Sequence, residues 1–121
     1  MSWEYEQTTG ALYHNEAFVC DGYSGYGIGK NNPVMQAVHN VGPIPEGTWT
    51  IGSAETHPGL GPVVMALTPE GPPPFGRTGF FIHGDSITGE NFGNASHGCI
   101  ILPRKVRESI AASGDNVLEV E

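Results

Sequence analysis

The sequence predicts a mostly β domain of short strands, a sandwich or closed sheet with one or two short helices. Three observations lead there. Glycine and proline are far above ordinary usage, 18 and 10 of 121 residues, and they punctuate apolar runs along the whole chain without forming a repeat. The runs are short and either alternate apolar with polar residues or are continuously apolar, the two marks of strands. One stretch near the C-terminus, 103–113, carries clear helical spacing.

The elements follow in order. Trp3, Tyr5 and Gln7 alternate with Glu4, Glu6 and Thr8, which gives an opening strand. Thr9-Gly10 turns into a second strand, Ala11 to His14. Asn15-Glu16 turns again into a third, Ala17 to Cys20, completing a meander. Residues 22–33 (GYSGYGIGKNNP) read as loop. They lack the spacing and the Lys-Ser/Thr pair of a phosphate-binding loop. Residues 34–40 are either a helical turn or more loop. Gly42 to Gly47 is rigid turn chemistry, Thr48 to Ile51 a strand, 57–62 a loop, and Val63 to Thr68 a central strand. Pro69 to Pro74 is a proline-rich turn. Pro103 suits the first position of a helix, Val106 and Ile110 supply its apolar stripe, and Gly114 its cap. A last strand runs from Asn116 to Val120.

At this length a single domain over 1–121 is expected, with one modest core. Five basic against 13 acidic residues give a formal charge of −8, which excludes a phosphate-neutralising nucleic-acid binder. No apolar run approaches a membrane span, and no basic-plus-apolar leader opens the chain. The expectation is synthesis in the cytoplasm without a signal peptide, and no membrane insertion. Cys20 and Cys99 are two cysteines in a chain of this size, which is no disulfide framework. Cys20 reads as a small core residue and Cys99 as a free thiol.

Chemistry concentrates between Phe80 and Pro103. The apolar run Phe80-Phe81-Ile82 delivers His83. A Gly- and Asn-rich loop follows, and then Ser96-His97-Gly98-Cys99 leads into Ile100-Ile101-Leu102. A histidine and a cysteine thus stand where two buried strands meet one loop, the minimal nucleophile-plus-base pair. Gly98 lets a substrate approach the backbone, and the amides of Gly98 and Cys99 are candidate oxyanion donors. Ser96 can hold the loop by a local bond, and His97 is placed to contact substrate or shape the cleft. Arg77, Arg104, Lys105 and Arg107 lie close to the motif in sequence, so a local positive patch that steers the substrate is expected.

The pattern His-Gly, a gap, then Ser-X-Gly-Cys-Ile resembles the L,D-transpeptidase (YkuD-like) catalytic domain. The stretches Gly22-Tyr23-Ser24-Gly25, Lys30-Asn31-Asn32-Pro33, Gly42 to Thr48 and Phe75-Gly76-Arg77-Thr78-Gly79 are similar to its small type VI secretion effector branch. The likeness spans roughly Trp3 to Arg107. It implies an L,D-transpeptidase-like β-sandwich in which Cys99 is the nucleophile and His83 the base. The carbonyl of Gly84 would orient that base, with Asp85 or Ser86 as side-chain alternatives. The implied substrate is the peptidoglycan stem tetrapeptide, attacked at the L-centre of diaminopimelate with release of D-Ala. Water as acceptor gives a carboxypeptidase; an amine gives exchange or a cross-link. The likeness also implies export to a target-cell periplasm, secretion machinery and an immunity protein as partners, and no cofactor. Where the larger family often has Arg two residues after the cysteine, this chain has Ile101; Arg104 is the candidate substitute. Two rival expectations stand beside it: a zinc hydrolase using His83, Asp85, His97 and Cys99, and a non-catalytic peptidoglycan-binding module.

Overall fold

The computed structural model describes residues 2–85 and 96–121. Among them are β1 (Trp3–Tyr5), β2 (Ala11–His14), β3 (Ala17–Asp21), β4 (Tyr23–Ser24), β5 (Gly47–Ile51), β6 (Glu55–His57), β7 (Gly61–Pro69), β8 (Phe80–His83), β9 (Ile100–Ile101), α1 (Arg104–Ser113) and β10 (Val117–Val120). Three short 3-10 turns, at Gly27–Gly29, Pro33–Met35 and Pro74–Gly76, account for the remaining helical structure.

The fold is mostly β. The strands pair in the order β3-β2-β1-β10-β5-β7-β8-β9-β4, with β6 paired separately to β7. The opening meander is antiparallel, and β10 returns to lie parallel to β1, with Trp3 opposite Leu118 and Tyr5 opposite Val120. The two ends of this order, β3 and β4, are joined through a single residue, Gly22. The sheet therefore curls until its edges meet. The Gly22 amide donates to the Gly10 carbonyl (2.6 Å), and a side chain on Gly22 would run into the Ile101 carbonyl. Glycine is thus required where the chain crosses from one edge to the other.

The core lies inside the curl. Alternation turns Trp3 and Tyr5, Trp49 and Ile51, Phe80 and Ile82, and Leu118 and Val120 inward, where they meet Leu12, Ile44, Met65, Ile100, Leu102 and Ile110. Trp49 packs edge-on against Phe80 (ring centroids 5.2 Å apart), and its indole N–H donates to the Pro45 carbonyl.

The structure departs from the sequence-based expectations at five places. The opening strand stops at Tyr5. Gln7 instead turns inward, buried, and donates to the Ile44 carbonyl. β4 forms inside the expected 22–33 loop, and β6 forms just ahead of and into the expected 57–62 loop. β4 is fixed by a partner distant in sequence, β9, and β6 by the hairpin it makes with the start of β7. Pro103 is the residue before the helix, in an extended conformation, and not its first member. On α1 the buried residues are Arg107 and Ile110. Both cysteines are free, with Cys20 half-buried against the core from β3.

Candidate active site

His83 ends β8, which runs parallel to β9 with Ile82 opposite Ile100 and His83 opposite Ile101. Phe80, Ile82 and Ile100 face the core, so strand alternation turns Phe81, His83 and Ile101 to the opposite side. Continuing the same register brings Cys99 level with Phe81, and the Phe81 backbone hydrogen-bonds the Cys99 sulfur. A parallel pair cannot be closed by a tight hairpin. The long connection between the strands therefore delivers the cysteine beside the strand that carries the histidine. No hydrogen bond joins the sulfur to the imidazole among the described residues.

The imidazole is fixed on its other nitrogen. Nδ1 lies 2.8 Å from the Gly84 carbonyl, which can only accept, so Nδ1 carries the proton and Nε2 presents a lone pair. Asp85 accepts from the Tyr23 hydroxyl at 2.7 Å, and its charge also favours the protonated imidazole. Ser86 lies outside the described residues. Burial holds the imidazole below the ordinary histidine range, against the opposing pull of the Gly84 carbonyl; nearby Arg107 and His57 push the same way as burial. Burial likewise pushes the Cys99 thiol up, partly offset by the Phe81 backbone bond and the Arg77 charge. The resting pair is therefore thiol and neutral imidazole. A preformed thiolate–imidazolium pair is disfavoured, because burial penalises both charges.

The turn that presents the cysteine is bolted by two buried hydroxyls. Ser96 Oγ accepts from the amides of Gly25 (3.0 Å) and Gly98 (3.0 Å) and donates to the Cys99 carbonyl. Ser24 Oγ donates to the Gly98 carbonyl and accepts from the Ile44 amide, both at 2.8 Å. Both serines are fully buried. The Gly98 amide is thus already committed to Ser96, which removes it as an oxyanion donor and leaves the Cys99 amide. Gly98 itself has φ +137°, and a side chain there would strike the Phe80 ring and the Arg77 guanidinium.

The expected positive patch dissolves. Arg77 is 3% exposed. Its fork donates to the carbonyls of Gln36, Gly42, Pro43 and His97, and it lies over the Phe80 ring. It ties the 36–43 loop to the nucleophile turn and is not turned toward a substrate. Arg107 is also buried. Only Arg104 and Lys105 of the four are exposed, and Arg104 pairs with Glu108 at 3.5 Å. His97 is exposed, stacks on Tyr26 (5.0 Å) and bonds the Asn40 carbonyl. It shapes a small cleft of about 110 Å³ shared by Arg77, Phe80 and Cys99. The zinc constellation does not assemble: among the described residues no three His, Cys, Asp or Glu side chains are grouped to hold a metal. His97 is committed to the Tyr26 and Asn40 side.

Two contributors were not legible as site residues. Ser24 sits in a glycine-rich stretch that reads as loop. His57 meets Phe81 edge-on (5.3 Å) from an unforeseen strand. Arg107, expected in the positive patch, lies three positions from Ile110 and so on the buried stripe instead.

Fold and site together define a small, curled, mostly β domain with a histidine ending one strand and a cysteine in the turn that leads into its parallel neighbour. A family model for the Tlde1 domain matches residues 19–118, from β3 to β10 and across both site strands. The chain belongs to the Tlde1 domain family, a family of type VI secretion effectors. No curated protein matches the chain.

Proposed function

We propose that this effector domain is a cysteine enzyme of the peptidoglycan stem peptide, acting as an L,D-carboxypeptidase or L,D-transpeptidase in the periplasm of a target cell. The observation that carries the proposal is the parallel β8–β9 register. It sets Cys99 beside the strand whose last residue, His83, has its Nδ1–H spent on Gly84 and its Nε2 free to take a proton.

In this scheme Cys99 Sγ attacks the carbonyl at the L-centre of diaminopimelate while His83 Nε2 accepts the thiol proton. The oxyanion is met by the Cys99 amide. Collapse breaks the C–N bond, His83 returns the proton to the leaving nitrogen, and D-Ala departs, leaving a thioester on Cys99. Water attacks the thioester with His83 as base, giving the shortened stem. An amine in place of water gives an exchanged or cross-linked stem. Substrate binding is what closes the sulfur–imidazole gap, as catalytic hydrogen bonds commonly tighten only in the Michaelis complex. Burial of both groups suits this order of events, because proton transfer at the moment of attack avoids a standing buried ion pair.

The test is mass spectrometry of purified wall fragments after treatment with wild type, Cys99→Ala and His83→Ala. Wild type should remove D-Ala from disaccharide tetrapeptides and both variants should not. Intact tetrapeptide after prolonged exposure to folded wild type would leave the non-catalytic wall-binding module as the better account.

A further inference from the structure

A cavity of about 450 Å³ opens beside Gly84. Tyr23 and Ile101 lie on one side, and Pro103, Arg104 and Arg107 on another. We propose that this cavity is a carboxylate subsite, in which Arg107 and the first turn of α1 receive the α-carboxylate of the amino acid on the leaving side of the scissile bond. The assignment to the leaving side rests on the stem-peptide activity proposed above.

Two independent features make the cavity wall an anion receptor. The first is Arg107, 7% exposed. Its Nε donates to the Leu102 carbonyl (3.0 Å), and its Nη1 to the carbonyls of Pro62 (2.9 Å) and Val63 (3.0 Å). Nη2 has no acceptor among the described residues and packs against Gly84, on the cavity wall. Nη2 is not a buried orphan and so opens on the cavity, where a carboxylate can take it as a charge-assisted donor. The three fixed bonds also pre-orient the free nitrogen, so little side-chain entropy is lost on binding.

The second is the start of α1. It has ten residues, no side-chain cap and no acidic residue in its first turn, and its first helical bond runs from the Arg107 amide to the Pro103 carbonyl. The earlier amides of the turn, with the helix dipole behind them, face the end where Pro103 and Arg104 line the cavity. Two acidic residues share the lining: Asp85, which accepts from the Tyr23 hydroxyl, and exposed Asp21 at the end of β3. Asp21 ends β3 and Asp85 follows β8.

Position supports the leaving side. His83 returns its proton to the leaving nitrogen, Gly84 follows it directly in the chain, and the Arg107 charge acts on the same imidazole. A peptide end that departs past His83 therefore meets Arg107 next.

The experiment is an NMR titration of the wild-type protein with N-acetyl-D-alanine and with N-acetyl-D-alaninamide, following the Arg107 side-chain Nε–H and the Gly84 amide. The acid should give saturable shifts at both probes, and the amide should bind roughly tenfold or more weakly. Equal shifts from both compounds, or none at Arg107, overturn the subsite. Binding of the acid by a protein that releases no D-Ala from tetrapeptides supports the subsite and overturns the activity. D-Ala release with acid and amide bound alike does the reverse.

Discussion

Gly84→Ala is a sharp test of how the site is held. A Cβ at residue 84 would lie 2.6 Å from Arg107 Nη2 and 3.1 Å from Cζ. An arginine tip usually moves aside cheaply. This one is pinned by bonds to three backbone carbonyls, those of Leu102, Pro62 and Val63. Relief must come from breaking one or two of those bonds, or from rotating the Gly84 carbonyl off His83 Nδ1. A hydrogen bond to a charged group contributes roughly 1.5–3 kcal/mol, and overpacking costs about 1–3 kcal/mol. A loss of about 2–4 kcal/mol in urea unfolding is therefore expected, with D-Ala release strongly reduced. Gly59→Ala is the control: its Cβ would meet only the His57 ring at 3.6 Å, so stability should stay within about 0.5 kcal/mol of wild type. Gly84→Ala with unchanged unfolding and unchanged D-Ala release would refute the idea that Arg107 and Gly84 are locked together.

Other outcomes follow from the same geometry. With His83 held below its ordinary range, the base stays neutral in mild acid, so D-Ala release should persist below pH about 6.5; a profile that collapses on descending through pH 7 would contradict this. For stability the sign is set by the same depression. The unfolded chain binds the proton first, so stability should fall as pH drops from about 6.5 through the lowered folded value, and His83→Ala should flatten that fall in urea titrations at several pH values. Because burial pushes the Cys99 thiol up, iodoacetamide should alkylate it slowly at neutral pH and faster only above pH about 8.5; rapid labelling at pH 6 would point to a standing thiolate. Ser96→Ala strands the buried amides of Gly25 and Gly98 and should cost about 2–5 kcal/mol, read by chemical unfolding, along with the activity. Arg104→Glu should leave the melting temperature near wild type and raise KM for tetrapeptide, since Arg104 is exposed yet borders the cavity.

Much of this was legible in the residues, for physical reasons. The Trp3–Tyr5 alternation, the apolar runs at Val63 and Phe80 and the Val106/Ile110 stripe each commit a segment to one buried face. The structure uses those faces. The apolar run at Ile100-Ile101 was readable as a strand, but two-residue β4 carries too little pattern to stand alone and is settled by pairing with β9. The arginines were misjudged for a related reason. Arg77 looks like a loop cation, but the Gly- and Pro-rich 36–43 segment leaves carbonyls without strand partners, and a buried guanidinium is what satisfies them. Arg107 does the same for Pro62 and Val63, where Val63 holds φ +55°, a conformation disfavoured for a β-branched residue. Local sequence does not announce which carbonyls will lack partners, so it does not announce which cations will turn inward.

The brevity of β4 and β9 has a dynamic consequence. The turn that carries Cys99 hangs from a seam of two residues on each side, while β7, on the far side of β8, runs for nine. Such a seam can unzip locally at a fraction of the free energy of global unfolding. Amide exchange at Ile100 and Ile101 should then outpace that at Met65 and Leu67. In the proposed reaction the same breathing gives Cys99 the freedom to swing toward His83.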